Sequence, residues 1–325
     1  MTKTRVRKPF MREDAQAHPG LTTEPEEFPA IELPGEEKRS TKVKNAAAAK
    51  MPEKVKHPSN LMVRTATGAV YILLTVVCIW ASEVSTAIYL SVLSAICAGE
   101  FYYMLRSDAK LPNEFLGICA AALFPLATWV SGISGVVVGF AIFVLTLLVW
   151  YVFWQPARIS DVAVSLFGAV YTGVIMLLRV SLPEFWGAVL VLGLFASVWG
   201  NDAFAYLVGS AIGKHKLAPH ISPKKSWEGF IAGLVVAMGF WCLLTLIPGV
   251  TMSIPQALVF GLINGLSGVL GDLVESRIKR NSGFKDSGTI MPGHGGLLDR
   301  CDSQFLVILT GTIMLVLGGC IPYAI

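Results

Sequence analysis

Beyond its first sixty residues this chain is a succession of long apolar runs broken by short polar connections. Runs near 66–82, 85–105, 115–131, 135–154, 162–180, 184–209, 227–248, 254–274 and 303–322 approach or exceed the ~20 residues a helix needs to cross a bilayer. The pattern predicts an all-α, polytopic integral membrane protein with nine transmembrane helices. A β-barrel would instead show short segments of alternating polarity. The fifth and sixth runs are the least regular, because Arg179 and Glu184 fall near their junction.

Residues 1–60 mix Pro, Glu, Lys, Thr and Ala without apolar periodicity. Such a segment buries too little surface to offset its ordering entropy, so a disordered cytoplasmic tail is expected ahead of a membrane domain over 61–325. The tail's basic end (Lys42, Lys44, Lys50, Lys54, Lys56, Arg64) would hold that side inside, near anionic headgroups. With the N-terminus inside, Lys and Arg fall almost wholly in inside connections and only Arg179 falls outside. Two long polar loops, 210–228 and 272–303, then face the cytoplasm of a plasma or inner membrane.

Composition agrees with this reading. The 325 residues are 54% hydrophobic and 15% charged, against roughly 25% charged in an average soluble domain. The net charge of +4 is modest, and no nucleic-acid partner is expected. Six cysteines form no CxxC pair, which argues against structural zinc and leaves Cys as a small hydrophobe in the spans.

Some polar residues are costly unless used. Glu100 lies inside the second run and Asp202 well within the sixth, where a carboxylate costs at least ~2.5 kcal/mol. Glu100 is either functional or a boundary residue paired with Arg106. Asp202 has Tyr206 at i+4 on its own helix face and leads toward Lys214 and Lys216. In the following loop, Ser222-Pro223 has the form of a helix start, which puts Lys224 and Lys225 in a first turn with Glu228 close to both. Cations oppose the helix dipole there, so either an anionic ligand compensates or the loop is a positive-inside anchor.

The stretch from Gly271 to Ser303 concentrates chemistry, with five acids, five Lys/Arg and one His. If the preceding helix continues past the membrane, Asp272, Glu275, Ser276 and Lys279 share one face. Lys285-Asp286 follows, then Pro292-Gly293-His294-Gly295-Gly296, whose glycines let backbone N–H groups approach phosphate oxygens. Asp299, Arg300 and Asp302 come next. Carboxylates at the two ends of this loop could converge on Mg²⁺, which is usually held by one or two carboxylates with phosphates and waters.

The run Ser276-Arg277-Ile278-Lys279-Arg280, then Lys285-Asp286, then Pro292-Gly293-His294-Gly295-Gly296-Leu297-Leu298-Asp299-Arg300-Cys301-Asp302, resembles the signature of the phosphatidate cytidylyltransferases, or CDP-diacylglycerol synthases. The second loop, with Asp202, Tyr206, Gly209, Gly213-Lys214, Ser222-Pro223-Lys224-Lys225-Ser226 and Glu228-Gly229, resembles the same family. The likeness covers the chain from about residue 60 onward, with Met291 and Cys301 as small departures. It implies a nine-span enzyme that makes CDP-diacylglycerol and pyrophosphate from CTP and phosphatidic acid, as a homodimer. It also implies Mg²⁺ on Asp272 and Asp299, with K⁺ as a further candidate; Asp302 and Glu275 are expected to support that site.

On this reading Lys279, Arg280, Lys285 and Arg300 hold phosphates beside Asp286 and His294. Ser276, Pro292, Gly293, Gly295 and Gly296 contact substrate, as do Asp202, Tyr206, Lys214, Ser222, Lys224, Lys225 and Glu228. Lys224 and Lys225 would take either the triphosphate or the lipid headgroup. A CTP-dependent lipid kinase is the rival enzyme. A secondary transporter, with Glu100 and Asp202 as ion sites, is disfavoured by the lack of an internal repeat.

Overall fold

The computed structural model describes residues 59–106, 111–173, 184–247, 250 and 252–318. The expected tail, apart from its last two residues, lies outside the described residues, as do Lys110, Arg179 and Cys320. The helices are α1 (Ser59–Ala81), α2 (Glu83–Leu105), α3 (Glu114–Phe153), α4 (Ile159–Gly173), α5 (Glu184–Ile212), α6 (Trp227–Leu244), α7 (Ile254–Asn281) and α8 (Leu298–Leu317). A two-stranded hairpin, β1 (Lys216–Ala218) and β2 (Ser222–Ser226), lies between α5 and α6.

Eight segments among the described residues are long and apolar enough to cross a membrane. Two of them are halves of α3, Glu114–Gly132 and Ser134–Phe153. Ser131 and Gly132 break its helical geometry, and Gly132 sits at φ +58°, a conformation glycine adopts without steric cost. The predicted boundary between the third and fourth spans falls at this kink. The predicted fifth span begins in α4, and the rest of it lies outside the described residues. The chain is thus a polytopic helical membrane protein. An apolar cavity of about 670 Å³ lies between the two halves of α3, lined by residues such as Leu123, Phe124 and Phe143.

Small residues set the helix crossings that matter for the site. A Cβ at Gly229 on α6 would fall 3.0 Å from Gly209 Cα on α5, and one at Gly271 on α7 would fall 2.9 Å from Ser303 Cα on α8. Close backbone approach of this kind is how membrane helices associate where burial from water gives no driving force. The core is aromatic and aliphatic, including Phe101, Tyr102, Phe195, Trp241, Leu298 and Phe305. Trp241 stacks edge-on against Phe260 with ring centroids 4.1 Å apart.

One expected element is absent. Ser222-Pro223 does not start a helix, because Ser222–Ser226 pairs antiparallel with Lys216–Ala218. The helix begins four residues later, where Ser226 caps α6 and its Oγ accepts from the Gly229 N–H at 3.2 Å. Lys224 and Lys225 are therefore strand residues, not first-turn residues.

Candidate active site

The connection between α7 and α8 is organised by two carboxylates. Glu100, 6% exposed on α2, accepts from Ser287 Oγ at 3.0 Å, the Leu297 N–H at 3.0 Å and the Leu298 N–H at 2.8 Å. It thereby satisfies amides at the start of α8 that have no helical partner, where negative charge also suits the dipole. The pairing with Arg106 expected as one reading does not form; Arg106 pairs with Glu114 instead. Glycine is required around Glu100, since a Cβ at Gly288 would fall 2.8 Å from its Cδ.

Asp299 holds the same connection from the other side. Its Oδ2 accepts from the Ser287 N–H at 2.9 Å and the Gly296 N–H at 2.8 Å, and its Oδ1 accepts from Lys279 Nζ at 2.5 Å. Lys279 also pairs with Glu275, whose side chain is fully buried. A buried ammonium between two carboxylates satisfies the need for partners that burial imposes. Glu275, Lys279 and Asp299 thus form one bridge between α7 and α8.

The glycine turn does not aim its amides outward as expected. The His294 and Gly295 N–H groups both return to the Met291 carbonyl, at 2.9 and 3.2 Å, and the Gly296 N–H goes to Asp299. Gly293 at φ +76° and Gly295 at φ +95° allow this closure. Between Pro292 and Leu297 only the Gly293 N–H lacks an acceptor among the described residues. His294 packs near Arg64 and Arg300, and burial followed by these two charges lowers its pKa below the ordinary value.

A second acidic group lies beside this bridge. Lys225 on β2 reaches Asp272 on α7 at 2.8 Å, and Asp272 also accepts from Ser276 Oγ at 3.0 Å. Asp302 lies close enough to Asp272, Glu275 and Asp202 for their charges to repel. Asp202 in turn feels Lys225, Asp272 and Arg300. Four carboxylates from α5, α7 and α8 therefore share one region with Lys225 and Lys279. Among the described residues, however, no three His, Cys, Asp or Glu side chains stand close enough to cage a metal unaided.

The remaining expected site residues are placed less centrally. Lys214, Lys224, Lys285 and Asp286 are exposed, and Arg280 bonds the Phe284 carbonyl at 3.1 Å. Glu228 pairs with His215, Nδ1 to Oε1 2.7 Å, rather than with Lys224 or Lys225. Tyr206 is 74% exposed and makes no hydrogen bond to Asp202. Ser222 is a strand residue, and Pro292 accepts from Thr67 Oγ1 at 3.3 Å. Glu100 was visible in the sequence as a costly carboxylate, but nothing local identified its partners.

Residues 62–317 match the profile of the cytidylyltransferase family. That is four fifths of the chain, and it decides the matter. The chain belongs to the cytidylyltransferase family. Among its relatives, phosphatidate cytidylyltransferase 5, chloroplastic, of Arabidopsis thaliana is 33% identical over 255 residues, covering 67% of this chain and 62% of the relative. The phosphatidate cytidylyltransferase of Staphylococcus saprophyticus is 40% identical over 157 residues, 48% of this chain and 60% of the relative. That of Mycobacterium bovis is 36% identical over 207 residues, 58% of this chain and 67% of the relative. The chain thus matches about three fifths of the length of the first two.

Proposed function

We propose that this cytidylyltransferase-family chain transfers the cytidylyl group of CTP to phosphatidic acid, giving CDP-diacylglycerol and pyrophosphate. The observation that carries the reading is the gathering of Asp202, Lys225, Asp272, Lys279, Asp299 and Asp302 at one end of apolar helices, beside a braced glycine turn. The names of the relatives supply the substrates.

In the reaction an oxygen of the lipid phosphate attacks the α-phosphorus of CTP. The bond from that phosphorus to the bridging oxygen breaks, and pyrophosphate leaves with the electron pair. Both reactants are polyanions, so the protein's main task is charge compensation in fixed positions. Lys225 and Arg300 are the cations near the acidic group that remain accessible enough to bind phosphate. Lys279 is already committed between Glu275 and Asp299, and its role is to hold α7 and α8 in register. A phosphate monoester is nucleophilic near neutral pH and needs no strong general base.

Mg²⁺ fits part of the expected ligand set. Asp272 and Asp302, with Asp202 beside them, offer hard oxygens and repel one another, as suits a dication completed by water and phosphate oxygens. Asp299 fits less well, since a buried lysine and two backbone amides hold its oxygens, whereas those of Asp272 are held only by the part-exposed Lys225 and the Ser276 hydroxyl, which can turn away. We therefore assign magnesium to Asp272 and Asp302 and give Asp299 the bracing role. Bound there, the ion would neutralise triphosphate charge and polarise the reacting phosphorus. K⁺ beside it, a homodimer, and a cytoplasmic-facing site in the plasma or inner membrane complete the proposal. The Lys/Arg asymmetry of the connections supports that orientation.

The test uses purified full-length protein with phosphatidic acid, Mg²⁺ and CTP labelled on either the α or the γ phosphorus. Label from the α position appearing in lipid, with pyrophosphate released, is the expected result. Label from the γ position in lipid would make the protein a CTP-dependent lipid kinase and overturn the proposal.

A further inference from the structure

Arg64, expected as part of a basic anchor ahead of the first span, packs against the glycine turn. Its aliphatic stem lies across the glycine turn, so that a Cβ at Gly293 would fall 2.8 Å from Arg64 Cγ. The same stretch of α1 is docked there by Thr67 Oγ1, which donates to the Pro292 carbonyl at 3.3 Å, and by Gly68 against the His294 ring. Arg300 closes the other side, with Nη2 donating to the His294 carbonyl at 3.3 Å. Arg64 and Arg300 are both close enough to act electrostatically on His294. Among the described residues neither guanidinium has a carboxylate partner in hydrogen-bonding range.

Two further groups at this turn lack partners. His294 Nδ1 is buried with no hydrogen bond, and the Gly293 N–H has no acceptor. An unpaired buried polar atom is costly, and like charges brought together are costly too. One anion would relieve both. Guanidinium forks suit phosphate oxygens, which they can engage through two parallel bonds. The position favours a lipid phosphate over the nucleotide. Arg64 lies within two residues of the start of the first apolar span at Met62, and arginines at span ends reach toward the headgroups. Lys225, Asp202, Asp272 and Glu275 lie on β2, α5 and α7, away from α1, and Arg300 on α8 is close enough to act on both Asp202 and His294.

We propose that Arg64, with Arg300, His294 and the Gly293 amide, forms the subsite that receives the phosphomonoester headgroup of the lipid substrate. The inference rests on phosphatidic acid being the acceptor. An anchor role would require only positive charge near the surface, whereas this subsite requires the guanidinium itself, so lysine should not replace it fully.

Full-length wild type, Arg64→Lys and Arg64→Ala, each checked for the same elution and melting behaviour, would be assayed in mixed micelles with lipid and CTP varied separately. Arg64→Ala should raise KM for phosphatidic acid ~10-fold or more, as expected for losing a charge-assisted hydrogen bond, with Arg64→Lys intermediate. KM for CTP should stay within about twofold, a shift well under the 1.4 kcal/mol that corresponds to tenfold. An unchanged lipid KM, or a CTP KM that rises as much, overturns the subsite. Calorimetric binding of dihexanoyl phosphatidic acid separates this from failure of the reaction itself. If wild type makes no CDP-lipid yet binds this probe and Arg64→Ala does not, the subsite stands while the activity falls. Equal binding by both proteins overturns the subsite.

Discussion

The two polar connections near the site, 213–226 and 282–297, are built in opposite ways. The second is held from inside by buried or part-buried carboxylates that take up its amides: Glu100 receives Leu297, Leu298 and Ser287, and Asp299 receives Ser287 and Gly296. The first is a short hairpin on the surface, tied by a two-strand ladder and by an exposed His215–Glu228 pair. Only Lys225 reaches from it into the acidic group. A connection braced by its own carboxylates is preorganised and costs little to order when substrate arrives. A hairpin whose lysines remain mostly exposed keeps its charge available for a ligand. The difference separates residues that shape the site from residues that bind within it.

Breaking the brace should have the largest effect. Glu100→Gln keeps the shape but turns an amide NH₂ toward groups that are themselves donors. Hydrogen bonds to a charged acceptor are worth ~1.5–3 kcal/mol each, so turnover should fall at least ~100-fold. The melting temperature should fall with it. Normal turnover and melting in this variant would mean that the connection is not held by Glu100. Asp299→Asn comes next. It leaves Lys279 with Glu275 alone, and lipid product should drop ~100-fold while insertion and elution stay normal, the cost of ~3 kcal/mol for unbalancing a buried ion pair. Near-normal turnover would remove Asp299 from the site altogether.

Lys225→Ala tests the other connection. The Lys225–Asp272 pair is part-exposed at both ends, so its loss should cost the fold little. Its expected signature is a KM raised ~10-fold at unchanged melting temperature, as for a residue contributing one charge-assisted contact to a ligand. A fall in melting temperature matching that of Glu100→Gln would erase the distinction between brace and binder.

Much of the architecture was legible because a membrane helix must satisfy its backbone internally and face lipid, which forces long apolar runs into the sequence. The kink at Ser131–Gly132 separates α3 into the two spans expected there. Where the reading failed, partners were distant in sequence. Ser222-Pro223 has the local form of a helix start, but its strand depends on pairing with Lys216–Ala218. Glu100 stood out as costly, yet its nearest candidate partner, Arg106, was the wrong one. The true donors at Leu297 and Leu298 lie 197 and 198 residues along the chain. The glycine turn was recognisable by composition, while its closure onto the Met291 carbonyl was not. A motif shows that backbone can approach something closely, and only the fold shows that it approaches itself.

The smallest expected effect lies at that closed turn and concerns pH. Burial, with Arg300 on α8 and Arg64 on α1 adding to it, holds the His294 pKa below its ordinary value. Between the folded and ordinary values the unfolded chain therefore binds more protons than the native one. Native stability from this group is complete above the ordinary imidazole value of about 6.5 and declines as pH falls below it. Melting temperatures of wild type and His294→Gln, measured from pH 7.5 down to 5.5, should diverge at the acid end, with wild type falling further. Parallel curves would show that neither burial nor the two guanidiniums holds the His294 pKa down in the native protein. They would also weaken the case for an anion at this turn, because the repulsion that a phosphate would relieve would then be too small to detect at His294.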